Sequence, residues 1–457
     1  MVSSDPMTSP AAGTNRKRRW EYPALIALGC AVVVILGLTV VLTDAPGSSQ
    51  QSAAEADVAR VSEVQALLDS WARAQMSDDP TSLAQFVDAA AAPGLLDAEI
   101  RRATAASALS FSDWAYEVSP GTLVEAARTG SPDGVTLWGA QVNLRYALDG
   151  VDAAPTRKTV LMTFAERDGS WFVFADGSIV DVLGSGSTGS QLSVDSWHGP
   201  WDFGPLAVST NAAEDSIVVG HPGQQAFVDA LAADLDGAVK NTTQLWGDGW
   251  SERAVVMVAG SPEEFTAMVG SQHDGSSIAA VSVADTVRDG ASDVSGQRII
   301  FSPAAASRLT STTRQAVLRH EMMHIAARSQ TRDGSPMWVL EGYAEYAGNR
   351  GSGRAAREIA PTLAAAVRSG DVPSEFPEDS QFGGVPVVSS LAYESAWSIN
   401  AYIADRFGES ELTELFRALA VGPSKPEEIN RHIVDVLGVS IDDLRDGWVD
   451  WLHRTLG

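Results

Sequence analysis

Arg319-His320-Glu321-Met322-Met323-His324 constrains this chain more than any other stretch. Two histidines four positions apart stack one turn above the other on a helix, whereas about 13 Å of backbone would separate them in an extended strand. Val317, Leu318, Met322 and Ile325 are apolar neighbours at helical spacing, and Ser311, Thr312 and Thr313 offer a capped start. A helix is therefore expected from about Ser311, with both imidazoles able to close on one ion. Zinc binds imidazole nitrogen at about 2.0–2.1 Å, takes four ligands, and in catalytic sites keeps one position open for water. Glu321, directly after the first histidine, can reach that water rather than the metal. This is the H-E-x-x-H signature, with His320 and His324 as expected ligands.

A third ligand decides whether such a pair is a site. The downstream segment SPMWVLEGYAEYAG supplies Glu341 and, one helical turn later on the same face, Glu345. Pro336 suits the first turn of this second helix. Glu341 completes a His₂Glu set, and Glu345 can hydrogen-bond a ligand histidine from behind, fixing its tautomer and orientation. The plain alternatives are two helix histidines with ordinary hydrogen bonds and a solvated glutamate.

H-E-x-x-H followed by W-x-x-E-G-x-A-x-Y resembles the gluzincin metallopeptidases, and more closely the peptidase MA-like group related to thermolysin and the membrane alanyl aminopeptidases. The resemblance covers the two motif helices well and residues 200–457 loosely. It implies a zincin-like domain, a mixed sheet plus a helical C-terminal part, with one Zn²⁺ per chain held by His320, His324 and Glu341. Glu321 is then the general base and proton shuttle. SLAYESAWSINAYIADRFG resembles the helix that brings a tyrosine to the aminopeptidase active site, which implies Tyr393 as a hydrogen-bond donor to the developing oxyanion. The Gly-x-Met-x-Asn motif by which those aminopeptidases bind the substrate amino terminus is absent, so endo- and exopeptidase action both stay open. SIAAVSVAD is a candidate edge strand to which an extended peptide could add.

At the other end of the chain, Ala24 to Thr43 carries no charge. At about 1.5 Å per residue a helix of this length spans roughly 30 Å, one hydrocarbon core. Arg16, Lys17, Arg18 and Arg19 precede it, which puts the N-terminus in the cytoplasm and the rest outside. The rival is a cleaved signal peptide, whose apolar core is shorter, and Pro46 spoils the obvious cut after Ala45. The expectation is a single-pass membrane protein with a basic tail (1–22), a transmembrane anchor (23–43) and a tether (44–58).

Helical spacing of Val61, Val64, Leu67, Leu68 and Trp71, a helix near Leu95–Ala106, and then alternating strands with an Asp168-Gly169 hairpin turn describe an α+β domain over 59–182. Its element order resembles the cone-shaped fold of the nuclear-transport-factor and ketosteroid-isomerase superfamily, implying an accessory or interaction module. A Gly/Ser-rich linker (183–205) and the metallopeptidase-like domain (206–457) follow. The overall fold class is α+β.

A net charge of −26 excludes nucleic acid as a partner, since phosphates need Lys and Arg. The single cysteine, Cys30, excludes an intrachain disulfide. The expected function is a membrane-anchored, extracytoplasmic zinc metallopeptidase acting on a peptide or protein substrate. The alternative is a catalytically silent binding or envelope-assembly protein that keeps the fold. A deep apolar pocket in 59–182 would favour the latter, and an intact Glu321 the former. Oligomeric state is not legible.

Overall fold

In a computed structural model, the chain is described over residues 48–125, 135–177, 196–270, 278–285, 294–383 and 385–457. The expected anchor lies outside these. Among the described residues no helix is long and apolar enough to cross a membrane.

Helix α1 (Ser48–Gln75) begins inside the stretch expected to be a tether. Ala53, Ala54, Glu55 and Ala56 are strong helix formers and carry the helix upstream of its packed part. From Val64 onward its apolar stripe is buried, together with α2 (Leu95–Ala106), against an antiparallel sheet. The sheet comprises β1 (Phe111–Val118), β2 (Val124–Glu125), β3 (Thr136–Leu148), β4 (Thr156–Arg167) and β5 (Ser170–Asp176), in the order β1-β3-β4-β5, with β2 also on β3. Asp168 and Gly169 join β4 to β5 with φ of 52° and 75°, the paired positive values that an Asp-Gly hairpin turn supplies.

The expected linker lies outside the described residues up to 195, and from Ser196 the chain packs. Trp201 is buried edge-on to Phe111, Trp114 and Tyr146, with ring centroids 5.6, 5.2 and 5.2 Å away. The cavity left beside it is about 10 Å³, room for about one water.

A second sheet follows: β6 (Ala207–Thr210), β7 (Ile217–Gly220), β8 (Val255–Val258), β9 (Ala280–Val283) and β10 (Arg298–Phe301). Its order is β6-β7-β8-β10-β9, parallel at β7/β8 and β8/β10 and antiparallel at both ends. Helices α3 (Gln225–Trp246) and α4 (Pro262–Val269) lie between its strands in sequence. Ser261 caps α4, its hydroxyl accepting the Glu264 N–H. Alternation along the strands divides the core. Val218, Val256, Val258 and Ile299 pack on α3, while Val219, Val255, Met257 and Ile300 join the core that holds Trp201 and the first sheet. Residues 55–457 accordingly form one compact unit.

The rest is helical: α5 (Ala305–Arg308), α6 (Ser311–Ala327), α7 (Met337–Asn349), α8 (Ala356–Ile359), α9 (Pro361–Ser369), α10 (Pro386–Arg406), α11 (Glu409–Leu419), α12 (Pro426–Leu437) and α13 (Ile441–Leu456). Their shared core surrounds α7 and α10. The described chain is therefore a mixed α/β structure.

Candidate metal centre

Helix α6 is capped by Thr310, whose hydroxyl accepts the Thr313 N–H at 3.2 Å, not by the three residues after it. Capping favours the residue whose backbone is still extended, and that residue is Thr310, with ψ 169°. Three stripes of α6 have three neighbours. Leu318, Met322 and Ile325 face the second sheet and α3, while Met323, Ala326 and Ala327 face the C-terminal helices. The remaining stripe carries His320 and His324 into an open cleft of about 1440 Å³.

Helix α7 brings Glu341 and Glu345 to that cleft. Pro336 is its cap rather than its first residue, with ψ 126°, and Met337 donates its N–H to Asp379 at 2.8 Å. Two glycines set how deeply α7 sits. A Cβ on Gly342 would lie 2.2 Å from Asn400 Nδ2 and 2.5 Å from the Ala396 carbonyl of α10, and one on Gly348 would lie 2.6 Å from the Ala316 carbonyl of α6. Bare backbone at both points lets α7 wedge between α6 and α10, which carries Glu341 up to the two histidines.

The outcome is a tight cluster. His320 Nε2 and His324 Nε2 are 3.1 Å apart. Glu341 oxygens lie 3.4 Å from His320 Nε2 and 3.7 Å from His324 Nε2. Four tetrahedral ligands at zinc's bond length sit about 3.3–3.4 Å from one another; the two imidazole nitrogens, and His320 Nε2 with Glu341 Oε2, stand near that spacing, while His324 Nε2 is nearest the other Glu341 oxygen, Oε1. Among the described residues this is the one group of three or more such side chains able to hold a metal ion. Glu345 Oε1 is 3.5 Å from His320 Nδ1, on the side away from the cluster. Asn349 Nδ2 donates to the Glu345 carbonyl at 3.0 Å and to its Oε2 at 3.3 Å.

The local field favours a cation. Burial opposes charge on His320, but hydrogen bonding to Glu341 and the charges of Glu345, Glu321 and Glu341 outweigh it and push its pKa up to about 10. Burial raises Glu341, yet the charge of His324 and hydrogen bonds from both histidines hold it far below the usual carboxylate range. Glu345 is raised, chiefly by burial. The carboxylates around the two histidines thus favour positive charge at this point of the cleft.

Glu321 is buried on α6 and lines the same cleft, and the Ser282 hydroxyl of β9 donates to its Oε2 at 2.6 Å. Nothing in the sequence singled out Ser282 beyond its place in an alternating strand. Tyr393, on α10, lines the same cleft, its ring edge-on to Phe382 at 5.0 Å. Among the described residues its hydroxyl has no hydrogen-bond partner, and burial, with the charges of Glu341, Glu345 and Glu321, raises its pKa. The structure thus gathers His320, Glu321, His324, Glu341, Glu345 and Tyr393 around one cleft. His221 stands apart, its ring bridging the Pro205 carbonyl and Glu264 at 2.9 Å each.

No protein-family model matches the chain, and no curated protein does. Among solved structures, a mutant M1 zinc metallopeptidase from Deinococcus radiodurans is similar over 75% of this chain and 71% of its own, at a TM-score of 0.36 and 11% identity. So loose a likeness carries no functional weight, which rests instead on the residues of the cleft.

Proposed function

We propose that the chain is a zinc metallopeptidase with a zincin-like catalytic part, anchored in the cell membrane by residues 23–43, its N-terminus cytoplasmic and its catalytic part outside. One observation carries the reading: two imidazole nitrogens lie 3.1 Å apart with the Glu341 carboxylate across both, one oxygen 3.4 Å from His320 Nε2 and the other 3.7 Å from His324 Nε2, beside a buried glutamate. The donor set fits zinc, and His320, His324 and Glu341 would hold it. When bound, the ion supplies Lewis acidity and lowers the pKa of a water toward about 7.

The chain's own residues do the rest. Glu321 accepts a proton from the attacking water and returns it to the departing amine. Tyr393, with its hydroxyl uncommitted, donates to the substrate carbonyl oxygen as negative charge grows there. Glu345 holds the His320 ring by Nδ1, which leaves Nε2 facing the metal. Strand β9 pairs with β10 along one edge and lines the cleft along the other, a rail on which an extended peptide or protein segment adds as a further strand. The mouth of the cleft is open, which suits a peptide bond presented by a chain longer than a dipeptide.

Metal analysis of the purified full chain tests the reading. Near one zinc per chain, lost in Glu341→Ala, is the expected result. Cleavage of a peptide library by the parent chain and not by Glu321→Gln then identifies hydrolysis. No zinc in either protein after zinc is supplied would overturn the proposal.

A further inference from the structure

Glu321 has two carboxylate oxygens, and the chemistry above needs one of them free and correctly aimed. The Ser282 hydroxyl donates to Oε2 at 2.6 Å and lies 3.1 Å from the Glu321 carbonyl. Ser282 sits on β9, opposite Ile299 of β10, and shares with Ala280 the strand face turned toward α6. Strand β9 is four residues long and, among the described residues, is paired on one side only. A strand so short and paired on one side needs another anchor if Ser282 is to stay within hydrogen-bond reach of α6.

The anchor comes from the first sheet. Asp285, just past β9, accepts from the Thr156 hydroxyl at 2.5 Å, from Lys158 Nζ at 3.0 Å and from the Arg157 N–H at 3.3 Å, all on β4. Its own N–H donates to the Ser295 carbonyl at 3.0 Å. Arg298, opposite Val283 in the β10 register, forms a two-pronged ion pair with Asp152 at 2.7 and 2.8 Å, in the connection between β3 and β4. Both pairs are largely buried, so solvent does little to loosen them. Strand β9 is therefore clamped to the first sheet at its end, and its pairing partner is clamped beside it.

We propose that Ser282 is a positioning residue for Glu321, and that the first sheet sets Ser282 through Asp285. Ser282 occupies Oε2, leaving Oε1 to receive the water proton: the water O–H bond breaks, an Oε1–H bond forms, and the Ser282 proton stays on its own oxygen. The first sheet, without touching substrate, thereby fixes the aim of the base. This rests on the peptidase reading for its kinetic consequence only; the physical coupling stands or falls separately.

The test uses the full chain with zinc content measured on every variant. Ser282→Ala is expected to lower kcat by about tenfold or more, the usual effect of losing a partner that orients a catalytic group, with KM and zinc within twofold. Ser282→Thr, which keeps the hydroxyl, should restore at least half of kcat. In thermal unfolding, the Tm losses of Ser282→Ala and Glu321→Ala should be non-additive in the double variant. Asp285→Ala should raise amide hydrogen exchange in the peptide covering 278–285 by about tenfold while α6 stays protected. If Ser282→Ala keeps its kcat, or the Tm losses simply add, or exchange at 278–285 is unmoved by Asp285→Ala, the proposal is overturned. Parallel measurement of Glu321→Gln separates the two ideas. Equal turnover in it and the parent sinks the peptidase reading, and the Tm and exchange results still decide the coupling.

Discussion

Replacing Gly342 by alanine adds one methyl group and should cost the chain its metal before its fold. The new Cβ would meet Asn400 Nδ2 at 2.2 Å and the Ala396 carbonyl at 2.5 Å, against about 3.4 Å for ordinary contact, so α7 and α10 must part by about 1 Å. On the other side α7 is pressed on α6 at Gly348, leaving little room to retreat. Glu341 is the neighbouring residue, and metal ligands tolerate misplacement of only about 0.2 Å. The displacement exceeds that tolerance roughly fivefold, so zinc affinity should fall by at least the 10–100-fold seen when a ligand's support is lost. Stability changes less. Alanine gains about 1 kcal/mol over glycine inside a helix, and overpacking costs about 1–3 kcal/mol. A competition titration against a chromophoric chelator, with thermal unfolding beside it, reads both. Gly237→Ala is the control: exposed on α3 with nothing within 4 Å of its Cβ, it should keep zinc and gain up to about 1 kcal/mol. If Gly342→Ala binds zinc within twofold of the parent, the idea that bare backbone at this crossing seats Glu341 is wrong.

Glu321→Gln should retain zinc and lose about 10²–10⁴-fold in kcat, measured on any peptide the parent cleaves, because an amide cannot take the proton. Tyr393→Phe should lower kcat by about 10²–10³-fold at unchanged metal content; an unaltered kcat would remove the tyrosine from the chemistry. Asp152→Ala leaves Arg298 of β10 charged, buried and without its carboxylate partner and should cost about 3–5 kcal/mol in denaturant unfolding. With metal chelated, the raised His320 pKa contributes stability fully present below about pH 6.5 and lost as pH climbs through about 10; the depressed Glu341 pKa contributes stability present above about pH 4.3 and lost as pH falls toward its folded value. The melting temperature of the chelated protein should therefore plateau between those limits, and the alkaline decline should vanish when zinc replaces the proton.

Much of this cleft was written in local spacing. His320, Glu321 and His324 fall on one helix, and Glu341 and Glu345 on the next, because helical periodicity alone decides which of them share a face. Leu95–Ala106 and the Asp168-Gly169 turn were legible for the same reason: propensity and turn chemistry act over a few residues. Helix α6 starts at Ser311 as expected, but its cap falls one residue earlier, at Thr310, among several capping residues between which only the backbone angle chooses; α7 starts one residue after Pro336. The start of α1 was misread because Ser and Gln look like tether residues, while the alanines among them favour helix. Ser282 and Asp285 were invisible because their partners, Glu321 and Thr156, lie far away in sequence; no periodicity encodes such a pairing. Tyr393 came from resemblance, since a tyrosine in an apolar helix has no spacing signature of its own.

The core around Trp201 has a consequence for the order in which the protein can be made. Its walls include Tyr146 from the first sheet and Val219, Met257 and Ile300 from the second. A ribosome delivers the first sheet long before Ile300, so the early strands must wait, partly covered, while the chain continues to grow. Residues far apart in sequence then close that core together, the kind of long-range closure that slows folding and leaves apolar surface open in the interval. The first sheet therefore completes its core only when β10 docks.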